Sequence, residues 1–209
     1  MLFKKTVETS TLELVEKLQA DPIFKGFYLA GGTAIALQIG HRTSIDIDLF
    51  TRSNFDIVYL IEHLESNYQF SLQYSHKNTL KGIIDGVFVD FLKHDYKHVT
   101  QPLIEDSLKM LDKPDIAAMK VNTITTNGTR VKDFIDIYFL LKIFSFEEII
   151  HYYSIKYNER NTFHAVKSLT YFKDIEEGEW PKMIIEAQLD LKEVQNYITM
   201  KRDEYLSQK

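Results

Sequence analysis

The spacing of apolar positions changes along the chain, and each change marks an element. Leu12, Val15 and Leu18 recur at helical intervals behind Ser10-Thr11-Leu12-Glu13, which has capping-box spacing, so a first helix is expected up to Asp21-Pro22. The apolar run 27–30 reads as a short buried strand. Gly31-Gly32 follows, a pair that lets the backbone turn tightly and approach a ligand, and Thr33 can then cap a short helix over 34–39 that Gly40 ends. After the polar loop 41–44, Ile45, Ile47 and Leu49 alternate with Asp46, Asp48 and Phe50, the period of a strand over 45–50. Asn54 can cap an amphipathic helix carrying Phe55, Val58, Ile61 and Leu64. Three short strands are expected over 69–75, 79–84 and 87–93, with Asp85-Gly86 a strong two-residue hairpin signal between the last two.

From Asp112 the period is helical. One helix, capped by Asp112, carries Asp115, Ile116, Met119, Lys120 and Ile124 and stops at Asn127-Gly128. The next, over 131–144, sets Phe134, Ile135, Tyr138 and Leu141 on one face. Its Lys132, Asp133 and Asp136 share a polar surface by their spacing of three and four. Ser145-Phe146-Glu147-Glu148 is a second capping box, opening a Tyr-rich helix to about 157; a helix over 162–172 and a long one after Trp180-Pro181 complete the chain. This order implies an α/β (α+β) fold: a mixed sheet with flanking helices over 1–105, then a helical half over 106–209 packed on it.

Composition narrows the function classes. The 209 residues suffice for a sizeable core, and 44% hydrophobic residues with four prolines describe a globular chain. The absence of cysteine rules out disulfides and thiolate metal sites and suits a reducing compartment, so a cytoplasmic location is expected. No stretch approaches the ~20 apolar residues of a membrane-spanning helix. A net charge of −5 argues against broad non-specific binding to nucleic acid while leaving room for a local basic groove.

The chemistry is concentrated between Phe27 and Phe50. The strand period puts Asp46 and Asp48 on one face, where they repel each other unless a cation lies between them. Mg²⁺, or Mn²⁺, is the usual answer: Mg²⁺ takes oxygen ligands, keeps several waters, and commonly binds one or two carboxylates plus substrate phosphates. The N–H groups opening the helix after Gly31 and Gly32 favour an anion such as a phosphate. Asp90, between Phe88 and Leu92 on one strand face, is a third carboxylate that needs a partner; convergence with Asp46 and Asp48 supplies one, and a lysine or arginine pairing is the alternative. Arg42 either holds a phosphate or braces its loop against an aspartate.

Taken together, Gly31-Gly32-Thr33-Ala34 through His41-Arg42-x-Ser44-x-Asp46-x-Asp48-Leu49-Phe50, then Val89-Asp90-Phe91, then Asp115 to Lys120 and Arg130-x-Lys132-Asp133-Phe134-x-Asp136 resemble the motifs of the AbiEii/AbiGii toxin family of the nucleotidyltransferase superfamily. Leu169-Thr170-Tyr171-Phe172-x-Asp174 is similar to a later segment of that family, so the resemblance spans 29–181. It implies a nucleotidyltransferase-type mixed sheet and a toxin of a two-gene toxin–antitoxin system tied to abortive infection and phage defence. The implied reaction moves a nucleotide from an NTP to RNA, such as a tRNA 3′ end, and a cognate antitoxin is the implied protein partner. Carried over by position, Asp46 and Asp48 hold Mg²⁺, Gly32 and Thr33 contact the triphosphate, Lys120 binds phosphate oxygens, and Asp133 or Asp136 completes the site near Lys120. Two other readings stay open: the same chemistry on a small molecule such as an antibiotic, and an inactive nucleotidyltransferase fold used as a binding module.

Overall fold

The structure is a computed structural model that describes residues 1–176, 178 and 180–208. The chain divides into two compact units, one of Met1–Lys97 with Pro102–Leu111, the other of His98–Gln101 with Asp112–Lys209.

The first unit is built on a mixed sheet. Its strands are β1 (Tyr28–Leu29), β2 (Ile47–Thr51), β3 (Ser71–His76), β4 (Thr79–Ile84), β5 (Val87–Lys93), β6 (Leu103–Glu105) and β7 (Leu108–Met110), in the spatial order β3-β4-β5-β2-β1-β7-β6. β2 runs parallel to β5, β1 runs parallel to β7, and the other neighbours are antiparallel. Strand periodicity sorts the side chains. Ile47, Leu49, Leu80, Ile84, Val89 and Phe91 are fully buried on one face, where Phe24 stacks on Phe91 at 5.2 Å between ring centroids. Asp48, Phe50, Lys81 and Asp90 alternate with them onto the opposite, more open face. The unit also holds helices α1 (Thr9–Ala20), α2 (Gly31–Ile39) and α3 (Ile57–Tyr68).

Several helix starts differ from the sequence expectation. The Ser10–Glu13 capping box does not form, because α1 begins two residues earlier behind Glu8, whose side chain makes no cap. Asp56, not Asn54, caps α3 by accepting from the Val58 and Tyr59 amides, and Phe55 stays outside the helix, its ring 5.5 Å from Phe27. α2 opens at Gly31 behind Ala30, so Thr33 lies inside the helix instead of capping it. The hairpin of β6 and β7 has no counterpart in the sequence reading. Its turn is Asp106-Ser107, with φ of 51° and 67°, a left-handed pair made without the glycine that marks such turns in sequence.

The second unit is helical: α4 (Lys113–Thr126), α5 (Val131–Leu140), α6 (Phe146–Tyr157), α7 (Phe163–Ser168) and α8 (Leu191–Ser207). Asp112 accepts from the Lys113 amide at the start of α4, and the capping box Ser145–Glu148 is complete at α6. α5 ends four residues before the expected 144, and α7 stops at Ser168 instead of reaching 172. Inside this unit Lys156 Nζ lies 2.7 Å from Asp115 Oδ1, both side chains at most 1% exposed, and the same carboxylate accepts from the Val99 and Thr100 amides.

One polar cluster fastens the first unit's core. The Asp21 carboxylate accepts from the Ile23 amide, from the Tyr68 hydroxyl at 2.8 Å, and bonds His63 Nε2 at 2.7 Å. Burial raises its pKa, but these hydrogen bonds outweigh burial and hold it below the ordinary carboxylate value. A carboxyl depressed in the folded state contributes stability that is present above its unfolded pKa and is lost as pH falls through the folded one. Asp21→Asn is therefore expected to cost ~1–3 kcal/mol at neutral pH, with the gap to wild type closing in acid; urea unfolding across pH checks both.

Candidate active site

The local chain around Gly31 places the first carboxylates. Gly31 has φ of +63°, and a Cβ built on it would overlap the Asp48 carboxylate, so glycine is required both for the turn and for the room Asp48 occupies. A Cβ on Gly32 would lie 2.9 Å from Arg42 Nη2, so the guanidinium passes close over that glycine. Arg42 is 3% exposed and its Nη1 donates to the Thr43 carbonyl at 3.0 Å, which favours the loop-bracing role weighed for it. The Thr33 hydroxyl donates to the Asp46 carbonyl and lies 2.9 Å from the Ser44 hydroxyl, tying α2 to the residue just before β2. Thr33 is 1% exposed, so its hydroxyl braces Asp46. The N-terminal segment holds the other side of the loop: the Ser44 amide donates to the Thr6 carbonyl and the Phe3 amide to the Leu37 carbonyl.

The sheet brings in the third carboxylate. Asp48 and Asp90 are paired in the parallel register of β2 and β5, and Lys81 is paired with Asp90 in the antiparallel register of β4 and β5. Register partners point to the same face, so Asp48, Asp90 and Lys81 form one row across three strands. Lys81 Nζ and Asp90 Oδ2 form an ion pair with side chains 43% and 24% exposed. Asp46 lies one residue before β2 and is exposed. Lys81 was not singled out from sequence, although the two-residue loop Asp85-Gly86 fixes the pairing of β4 with β5 and counting back from it puts Lys81 opposite Asp90.

Among the described residues no three His, Cys, Asp or Glu side chains are gathered into a metal-holding cluster. Two carboxylates side by side on an open sheet face nevertheless suit Mg²⁺, which relies on one or two carboxylates and takes its other ligands from water and substrate phosphates.

In the helical unit, Lys120 Nζ lies 2.6 Å from Asp133 Oδ1 and 2.6 Å from Asp136 Oδ2, with all three side chains at most 9% exposed. Lys120 is thus a buried cation between two buried carboxylates and not a lysine on a helix surface. Asp133 Oδ2 is buried without a hydrogen bond; the Arg130 Nε is 4.0 Å away. Lys132, one residue from Asp133, takes no part in this triad.

Residues 13–84 match the model of a family described as nucleotidyl transferase AbiEii toxin, type IV TA system. Over 201 residues the chain is 32% identical to the uncharacterized protein aq_aa25 of Aquifex aeolicus (strain VF5), an alignment covering 93% of this chain and 95% of that one. The chain belongs to the AbiEii family of nucleotidyltransferases. Two solved structures from Helicobacter pylori share the fold of this AbiEii-family chain: JHP933, at a TM-score of 0.53 and 15% identity over 97% of this chain and 96% of that one, and a protein designated a nucleotidyltransferase, at 0.54 and 14% over 97% and 99%.

The triad makes a stability prediction that precedes any functional one. Lys120→Ala leaves two buried carboxylates facing each other and is expected to destabilise the protein by ~3–5 kcal/mol in denaturant unfolding. Adding Asp133→Asn and Asp136→Asn to that variant should restore part of the loss, since the uncompensated charge is then gone.

Proposed function

We propose that this AbiEii-family protein is a Mg²⁺-dependent nucleotidyltransferase that moves a nucleotide from an NTP onto RNA, such as a tRNA 3′ end. It acts as the toxin of a toxin–antitoxin pair serving abortive infection and phage defence. The observation that carries this reading is the cross-strand row of Asp48 and Asp90 beside the Gly31 turn.

In the reaction a hydroxyl oxygen of the acceptor bonds to the α-phosphorus of the NTP while the bond to the β-phosphate bridging oxygen breaks, releasing pyrophosphate. Asp46, Asp48 and Asp90 are the residues that would hold Mg²⁺. When bound, the ion neutralises phosphate charge and lowers the cost of bringing an anionic substrate against carboxylates. Asp90 accepts the proton of the attacking hydroxyl, and Lys81 beside it sets its position. The amides of Gly31, Gly32 and Thr33 at the start of α2 receive the triphosphate, as helix N-termini do for anions. Arg42 packs its guanidinium against Gly32 and so supports that turn. Lys120, positioned by Asp133 and Asp136, is assigned a phosphate-binding role by family resemblance. The protein's work is positioning and charge compensation, with no covalent intermediate on the chain.

The test begins with each labelled NTP, Mg²⁺ and total RNA. Asp48→Asn removes a metal ligand at a half-buried position where it also relieves like-charge repulsion, so it should keep the wild-type melting temperature and lose transfer by at least ~10³-fold, the scale at which removal of a key charge-stabilising group registers. Growth arrest on expression should follow the same pattern, present for wild type and absent for Asp46→Asn/Asp48→Asn. Transfer by Asp48→Asn at the wild-type rate, or in excess chelator, would sink the assignment. Labelling of a small hydroxyl or amino compound in place of RNA would shift the acceptor class, and equal arrest by the well-folded double variant would leave a binding module.

A further inference from the structure

The open face of the sheet carries more than carboxylates. Phe88, two residues before Asp90 on β5 and therefore on the same face, is 56% exposed, and Tyr74 on β3 is 51% exposed. Tyr74 reaches that face through an irregularity. Ser71 pairs with Ile83 and Leu72 with Gly82, but Tyr74, not Gln73, pairs with Lys81. Continued without a break, the register would set Tyr74 opposite Leu80, whose side chain is fully buried on the other face. The bulge at Gln73 turns Tyr74 outward into line with Lys81, Asp90 and Asp48, a use of bulges seen beside active sites.

Strand preference alone explains neither ring. Aromatic residues favour strands because they pack on a half-buried surface, and these two leave more than half of their area in water. Their placement relative to the site is ordered. Across the strands β3-β4-β5-β2-β1 come Tyr74, Lys81, then Phe88 and Asp90 on one strand, then Asp48, and finally the Gly31 turn that follows β1. The Gly31 turn and Tyr74 therefore lie on opposite sides of the carboxylates, Phe88 lies two residues along the strand from Asp90, and Lys81, ion-paired with Asp90, stands on the strand between those of the two rings.

We propose that Tyr74 and Phe88 form a stacking platform for the last bases of a single-stranded polynucleotide acceptor, whose terminal hydroxyl then reaches Asp48 and Asp90. The proposal rests on the nucleotidyl-transfer reading above and names where its acceptor lies. Exposed rings on a sheet accept bases of any sequence through their π faces. Tyr74 lies beyond Asp90 from the Gly31 turn, and Phe88 is separated from that turn by β2, which assigns both rings to the acceptor and not to the base of the incoming NTP.

The experiment measures binding apart from catalysis. The full chain is titrated into a short fluorescein-labelled single-stranded RNA, and NTP binding is followed separately by calorimetry with each NTP and Mg²⁺. Tyr74→Ala and Phe88→Ala should each weaken RNA binding by roughly 5- to 150-fold, the range that loss of one base–aromatic stack spans, while leaving NTP binding and melting temperature unchanged. Tyr74→Phe and Phe88→Tyr keep a ring and should bind RNA as wild type does, and the same RNA as a duplex should bind more weakly. RNA binding unaffected by both alanine variants, no RNA binding by wild type, or an equal loss of NTP binding each overturns the platform. Ring-dependent RNA binding by a protein that transfers nothing leaves the platform standing and removes the transfer reading. Transfer to a small compound without RNA binding does the reverse.

Discussion

The first unit depends on one register, the parallel pairing of β2 with β5 that sets Asp48 beside Asp90. Neighbouring strands are about 4.8 Å apart, so two carboxylates in that relation repel by about 1–3 kcal/mol at the effective dielectric of a partly exposed site. Lys81 offsets part of this from the next strand, and a bound cation would offset the rest. A slip of β2 by one residue would send Asp48 to the face where Leu49 is now buried and Leu49 to water, and would part Asp48 from Asp90. The hydrophobic face therefore fixes the polar one: the side chains that stabilise the sheet also decide that the charges meet.

The helical unit handles charge in the opposite way. Lys120 with Asp133 and Asp136, and Lys156 with Asp115, are ion groups almost closed to water, and each pairs its charges within the unit. Such groups add little net stability compared with well-packed apolar residues, yet removing one member is costly because the others stay buried and charged. Neutral substitutions are expected to cost less in the half-buried row on the sheet than in the buried triad. This contrast decides how variants should be read. Loss of activity in a sheet-row variant reports on chemistry, and the same loss in a Lys120 variant reports on chemistry only once its fold has been verified.

Much of this was legible in the sequence because it follows from short-range rules. Alternation put Asp48 on the open face, although Asp46 lies one residue before β2, Asp85-Gly86 announced the β4–β5 hairpin, and the glycine pair announced the turn beside the carboxylates. The helical half was visible from its period and from the Asp112 and Ser145 caps. What stayed hidden was set by tertiary context. Thr33 has the composition of a cap, but the left-handed conformation available to Gly31 starts the helix earlier and frees the hydroxyl to tie Asp46. Asp56 displaced the expected Asn54 because several residues near a helix start can cap it, whereas α1 starts behind Glu8 with no side-chain cap at all. The Asp106-Ser107 hairpin carries no glycine, so its strands of three residues left too little pattern to detect.

The bulge at Gln73 shows why a face assignment by alternation needs the register as well as the period. Read from sequence, Leu72 and Tyr74 share one face of their strand; in the structure they point to opposite faces because one extra residue stands between their partners. A bulge leaves a residue out of the ladder and bends an edge strand, a cost that persists where the re-aimed side chain is useful or the edge must be blunted. All six residues of β3 are exposed, and blunting an edge would not require that an aromatic ring be aligned with Lys81, Asp90 and Asp48. The alignment ties the irregularity to the carboxylate row, and so sets the edge strand's ring on the same face as Asp48 and Asp90.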